Sequence, residues 1–152
     1  MTSMGTAWLS DDEDHAWRAF RRLLTALPAR LGRDLATDSG LSSADYEVLS
    51  TLSEKPNHRW ALKDLAAKME WSRSRLSHHA ARMEGRGLIE KEPDARDARG
   101  CILHLTDVGL GVLKSAAPHH VASVRARFLD HVSSDEIEML RAVSTRIADL
   151  PD

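Results

Sequence analysis

At 152 residues, with 42% hydrophobic and 29% charged side chains, the chain is sized for one or at most two small soluble domains. No apolar run approaches the roughly 18 residues of a membrane span, so no membrane partner is expected. The acidic N-terminal stretch, without a basic region followed by an apolar one, excludes a secretory signal. The single cysteine, Cys101, cannot form an internal disulfide, and a cytoplasmic protein is expected; the net charge of −2 does not by itself point to a partner.

The first helix is expected from Asp11 to Ala36, because Trp17, Phe20, Leu24, Leu27, Leu31 and Leu35 recur at three- and four-residue steps. Pro28 should kink it, or end and restart it, and Asp38-Ser39-Gly40 reads as a break. Asp11, Asp12, Glu13 and Asp14 at its start either complement the helix dipole or keep DNA away from that end. A second helix starts near Ser42, which forms a capping-box-like pair with Asp45, and stops before Lys55-Pro56-Asn57. His58-Arg59-Trp60 suits a short extended piece. A third, short helix covers Leu62 to Met69, with Leu62, Leu65, Ala66 and Met69 on one face. After the turn Glu70-Trp71, Ser72 caps a fourth helix from Arg73 to Glu84 that buries Leu76, Ala80 and Met83. Leu88 to Glu92 and Cys101 to Leu105 form a hairpin around the polar loop Pro93 to Gly100. Thr106 caps a fifth helix that Pro118 should bend. Ser133 and Glu136 box the start of a last helix carrying Ile137, Leu140, Val143, Ile147 and Leu150.

Two short helices joined by a tight turn, then strand, loop and strand, is the order of a winged helix-turn-helix. The local charge fits that order better than the overall charge does. From Trp71 to Ile89 there are four arginines (Arg73, Arg75, Arg82, Arg86) against one acid, Glu84. The face of the fourth helix opposite its apolar residues is read as Arg73, Ser74, Arg75, Ser77, His78, His79 and Arg82. Arg73, Arg75, Ser77 or His78 would reach base edges in a major groove, and Arg82 a phosphate. In the loop, Arg96 and Arg99 suit a minor groove, with Asp97 orienting Arg99 through a charge-assisted hydrogen bond. An ordinary solvated basic face and an exposed turn would carry the same residues singly; their order along the chain favours duplex DNA.

The stretch Leu62 to Gly109 resembles the MarR family, most specifically in WSRSRLSHHAARMEGRGLI (Trp71 to Ile89), in DARDARG (Asp94 to Gly100) and in LHLTDVG (Leu103 to Gly109). The resemblance implies a mainly α fold with a small β-hairpin wing, a winged helix-turn-helix between long N- and C-terminal dimerisation helices. It implies a homodimer on a palindromic double-stranded DNA operator, usually as a repressor. It places Ser72, Arg73, Ser74, Arg75, Ser77 and His78 in recognition, with Arg99 or Arg96 in the minor groove. The domains then read as residues 1–40, an N-terminal helix of the dimerisation region, 41–106, the DNA-binding domain, and 107–152, the C-terminal dimerisation helices. One departure is Glu70, where such turns often hold Gly; a glutamate tolerates a left-handed backbone poorly, which points to a different turn.

The apolar stripes of the first, fifth and last helices need partners, which a second copy would supply. The resemblance further implies release from DNA by a small aromatic or phenolic effector, with His15, Trp17, Arg21, Tyr46 and Trp60 as candidate contacts. Trp17 and Tyr46 serve equally as core or interface aromatics. Cys101 reads as a packing residue in its strand before a redox switch. The adjacent pairs His78-His79 and His119-His120 lack the i, i+4 spacing of a helical metal site, so no metal or cofactor is expected. No catalytic motif is present, and no enzyme is expected. A protein-interaction module without DNA binding, and a redox- or metal-responsive regulator, are the alternatives.

Overall fold

A computed structural model describes residues 7–151. Residues 1–6 and 152, which the expected outer segments include, lie outside the described residues. The elements are α1 (Asp11–Ser39), α2 (Ser43–Ser53), β1 (Arg59–Ala61), α3 (Leu62–Lys68), α4 (Arg73–Gly85), β2 (Ile89–Pro93), β3 (Cys101–Leu105), α5 (Asp107–Arg127), one 3-10 turn (Leu129–His131) and α6 (Ser134–Ala148).

Most helix starts are fixed by the residue just before them. Ser42 and Ser133 close full capping boxes with Asp45 and Glu136, as the sequence suggests, and Ser10 does the same with Glu13. Ser72 accepts from the Arg75 N–H and Thr106 from the Gly109 N–H, so α4 and α5 also begin on side-chain caps. The first helix is longer than expected. It runs unbroken through Pro28 and ends on Gly40, whose left-handed backbone (φ 69°) returns its N–H to the Ala36 carbonyl. A proline removes one intrahelical bond, and here α1 is also held by packing along α5. Asp34 ties the two helices together through Ser123 and through two hydrogen bonds from the Arg127 guanidinium, at 3.0 and 3.1 Å. Those contacts hold the Asp34 carboxyl below its usual value, Arg127 first and Ser123 second. Pro118 sits inside an equally unbroken α5.

The expected hairpin gains a third strand. The sheet order is β1-β3-β2, antiparallel throughout, with Trp60 opposite Leu103 and Glu90 opposite His104. Its inner face supplies Ile89, Leu103 and Leu105 to a core shared with Val48, Leu49 and Leu52 of α2, Leu65 and Ala66 of α3, and Leu76, Ala80 and Met83 of α4. That core belongs to the central elements together with Leu113 and Ala116 from α5. Of α1 only Leu35 is buried, and of α6 nothing is. Trp17, Phe20 and Leu24 on α1, and Ile137, Ile147 and Leu150 around α6, are left facing outward.

The turn between α3 and α4 is of the left-handed type after all. Glu70 adopts φ 54° and is exposed, and the Trp71 N–H closes the turn on the Ala66 carbonyl at 2.9 Å. A residue with a Cβ pays roughly 1–2 kcal/mol for that conformation. Glu70→Gly is therefore expected to stabilise the fold by about 0.5–1 kcal/mol, after the added freedom of the unfolded chain is subtracted. The check is a rise in the thermal midpoint; a fall would mean that the Glu70 side chain does something the backbone argument leaves out.

Candidate nucleic-acid interface

The apolar positions of α4 face the core and leave a polar strip outside. Ser72, Arg73, Ser74, Arg75, His78 and Arg82 are exposed, and Ser77 is half-buried. His79, read from the sequence as part of that strip, is not on it. It is 8% exposed and turned inward, one of the three buried polar residues among those described, with Asp45 and Thr51. The reason is helical phase. Position 79 follows Leu76 by three residues and precedes Met83 by four, so it falls on the buried side.

Arg75 does not hang free. Its guanidinium lies over the Trp71 ring, 3.7 Å from the centroid, in cation–π contact. Trp71 is half-buried, so the ring is a fixed shelf that narrows the directions open to Arg75. Trp71→Leu keeps apolar bulk and removes the shelf. It is expected to weaken specific DNA binding by about 0.5–1 kcal/mol, mostly as lost discrimination against random sequence. Competition binding with operator and random duplex measures this, and an unchanged ratio would show that Arg75 needs no support.

The wing loop carries a repeated device. Asp94 Oδ1 accepts the Arg96 N–H at 2.9 Å and Asp97 Oδ1 accepts the Arg99 N–H at 3.0 Å. Both aspartates thus fold the chain back two residues on. Asp97 was expected to grip the Arg99 guanidinium; it shapes the loop through the backbone instead, and its other oxygen lies 4.0 Å from Lys63 Nζ. The two loop arginines separate. Arg99 and Asp97 line a cleft of about 500 Å³ with Arg73, Ser74 and Ser77 of α4, while Arg96 lines a second cleft of about 510 Å³ on the β1 side of the wing. Lys63, at the start of α3, borders both clefts and was not singled out in the sequence. Its signal was only that of a lysine on the outer face of a short helix. Cys101 is half-buried and lines the first cleft.

The five effector candidates do not meet within one chain. Tyr46 lines a mostly apolar pocket of about 400 Å³ between α1, α2 and α5, with Leu27, Pro28, Leu31, Leu35 and His120. The Tyr46 and His120 rings lie 4.4 Å apart. Burial pushes the Tyr46 phenol up and the His120 imidazole down, so both are held in their uncharged forms. His15 and Trp17 are exposed on α1, and Arg21 borders a shallow basic depression with Arg18 and Arg22. Trp60 packs on the central core from β1, under Lys55 Nζ at 4.0 Å. His120 has no signal in the sequence beyond its place in a histidine pair.

Neither histidine pair converges, since His79 turns to Asp45 and His120 to Tyr46. On the outer face of the sheet, His104 Nδ1 lies 3.4 Å from Glu92 and 3.8 Å from Glu90. Arg59 already engages Glu92 with two hydrogen bonds and holds its carboxyl below the usual value.

The family model described as "MarR family" matches residues 41–101. The transcriptional regulator HosA of Escherichia coli is 33% identical over 125 residues, covering 82% of this chain and 87% of the relative. Among solved structures, AbsC, a MarR family transcriptional regulator from Streptomyces coelicolor, superposes with a TM-score of 0.90 at 39% identity, over 95% of this chain and 97% of that one. Sco3205 from the same organism, solved in complex with DNA, gives 0.92 at 33% identity, over 97% and 92%. With a winged helix-turn-helix at its centre and relatives that are regulators and not enzymes, the chain belongs to the MarR family of transcriptional regulators.

Proposed function

We propose that the protein is a cytoplasmic, homodimeric repressor that binds a palindromic double-stranded operator and leaves it when a small aromatic molecule binds. One observation carries the DNA reading: Arg73, Ser74 and Ser77 of α4 share a single cleft with Arg99 of the wing. An α-helix fits the major groove while the wing reaches the neighbouring minor groove, and that cleft is where the intervening backbone would pass. Residues 41–106 then form the DNA-binding unit, and 1–40 with 107–152 the dimerisation region. Ser72 caps the helix and leaves its N-terminal N–H groups and positive end toward a phosphate. The likeness to Sco3205, solved in complex with DNA, supports DNA binding as such.

The homodimer rests on the outward apolar stripes of α1 and α6, on which Trp17 is 51% exposed. A second copy lying against them would remove that surface from water. The effector reading rests on the Tyr46–His120 pocket, whose two uncharged rings and leucine walls suit a flat, largely apolar ring.

Recovery of bound fragments from genomic DNA by the purified protein, followed by competition binding, tests the reading. Arg75→Ala is expected to lose roughly 1–3 kcal/mol against the recovered site, and less against random duplex. Equal losses on both would remove Arg75 from base reading. A protein that ignores every duplex at low salt would leave a winged helix used for protein contacts, which the arginines on α4 disfavour.

A further inference from the structure

We propose that His79, which does not face DNA, is a positioning residue for Arg82, aiming its guanidinium at a phosphate from inside the protein. The proposal rests on the DNA-facing reading of α4.

His79 lies one helical turn before Arg82, and its Nδ1 is 3.0 Å from Arg82 Nη2. A guanidinium has donors and no acceptor, so in this contact Nδ1 must accept. The ring proton then resides on Nε2. Nε2 sits 2.9 Å from Asp45 Oδ1, the right charge for an N–H although off the line of a hydrogen bond. Asp45 cannot swing away. Its other oxygen takes the Arg86 guanidinium at 2.8 Å and the Ser42 backbone N–H at 3.0 Å. Trp71 stands edge-on to the imidazole at 5.8 Å and closes a further side. The ring is thus fixed in plane and tautomer by groups from α2 and α4.

An arginine side chain is long and loses much rotamer freedom when it docks. Arg82 is exposed, yet one end of its fork is anchored, so less ordering remains when a phosphate arrives. Four of the five guanidinium N–H groups stay free for that phosphate by the general inventory of the side chain. The placement of a DNA contact on α4 is set in this way by a carboxylate on α2.

The test uses the full chain and a labelled generic duplex, with affinity measured across a series of NaCl concentrations. His79→Gln puts an amide nitrogen near the Nε2 position and no acceptor near Nδ1. His79→Asn puts an oxygen near Nδ1. Arg82→Ala should reduce the slope of log K against log salt by about 0.9, the loss of one phosphate contact. His79→Gln should weaken binding and reduce the slope in the same direction, while His79→Asn should stay near the original protein. Adding His79→Gln to Arg82→Ala should change nothing more. Thermal melts of each variant separate lost fold from lost positioning. Identical behaviour of the Gln and Asn variants, or losses that add in the double variant, overturns the role of His79 while Arg82 stands. An unchanged slope in Arg82→Ala overturns the phosphate contact and the proposal with it.

Discussion

Gly109→Ala should destabilise the protein by about 3 kcal/mol or more, although the same exchange in an exposed helix normally stabilises. A Cβ at residue 109 would sit 2.0 Å from the Leu88 carbonyl oxygen, 2.8 Å from Leu105 Cδ1 and 3.0 Å from the Leu88 carbonyl carbon. Two of these atoms are backbone, and the structure around them is clamped. The Thr106 hydroxyl lies 2.6 Å from the Gly87 carbonyl and 3.0 Å from that of Leu88, and accepts the Gly109 N–H at 3.0 Å. The Thr106 N–H reaches the Leu88 carbonyl as well, at 3.2 Å. The first turn of α5 is thereby pressed against the chain as it enters β2, and the wing hangs from that junction. An alanine must push the helix off β2 or open the cap. Gly111, two residues on in the same helix, has nothing within 4 Å of its would-be Cβ, so Gly111→Ala is expected to gain up to about 1 kcal/mol. Urea denaturation of the two variants side by side decides the matter. A Gly109→Ala protein as stable as its parent would show that the junction yields. A destabilised but folded one should also bind DNA less tightly, because the Arg99 loop is carried by the displaced strands.

Features written in local spacing were legible in the sequence; features made by distant residues were not. The serine and threonine caps at Ser42, Ser72, Thr106 and Ser133 each act within three residues and could be read directly. So could β3, whose bounds Cys101 and Leu105 match the reading. The pairing of β1 with β3 joins Trp60 to Leu103 across more than forty positions, and only an isolated extended piece could be foreseen. His79 shows the same limit more sharply. Beside His78, in a run of arginines and serines, it looked like one more donor on a basic face, because its partner Asp45 is encoded far upstream on another helix. Tyr46 is legible only as one of five candidate contacts that could equally be a core aromatic, and His120 acquires meaning only when α5 folds over α2. Glu70 was judged from steric preference alone. The α3–α4 packing, with Leu65, Ala66 and Leu76 fully inside, imposes the left-handed turn against that preference.

Asp45→Asn is expected to cost about 2–4 kcal/mol at neutral pH, as lost pairing of a buried carboxylate and a weakened helix cap. Asp45 is only 5% exposed and serves three groups. It caps α2 through the Ser42 N–H, binds Arg86, and faces His79. Desolvation on its own would raise the carboxyl pKa. The Arg86 hydrogen bond, the Ser42 N–H and the positive charge of Arg86 outweigh it and leave the group below the ordinary 3.8. An amide of the same shape carries no charge for Arg86 and has one acceptor oxygen in place of two; with that oxygen on Arg86 and the Ser42 N–H, its NH2 is left against the His79 Nε2–H. The pH dependence follows from the direction of the shift. A carboxyl whose native pKa lies below its unfolded value binds fewer protons when folded, so its contribution is complete above about pH 4 and disappears as pH falls through the lowered native value. The deficit of Asp45→Asn relative to the parent should therefore be widest at pH 5–7 and shrink in denaturation curves taken below about pH 4. A deficit that stays constant down to pH 3 would mean that the charge of Asp45 is not what matters. The same substitution should loosen His79, and with it Arg82, so DNA affinity at low salt should fall even where the variant remains fully folded.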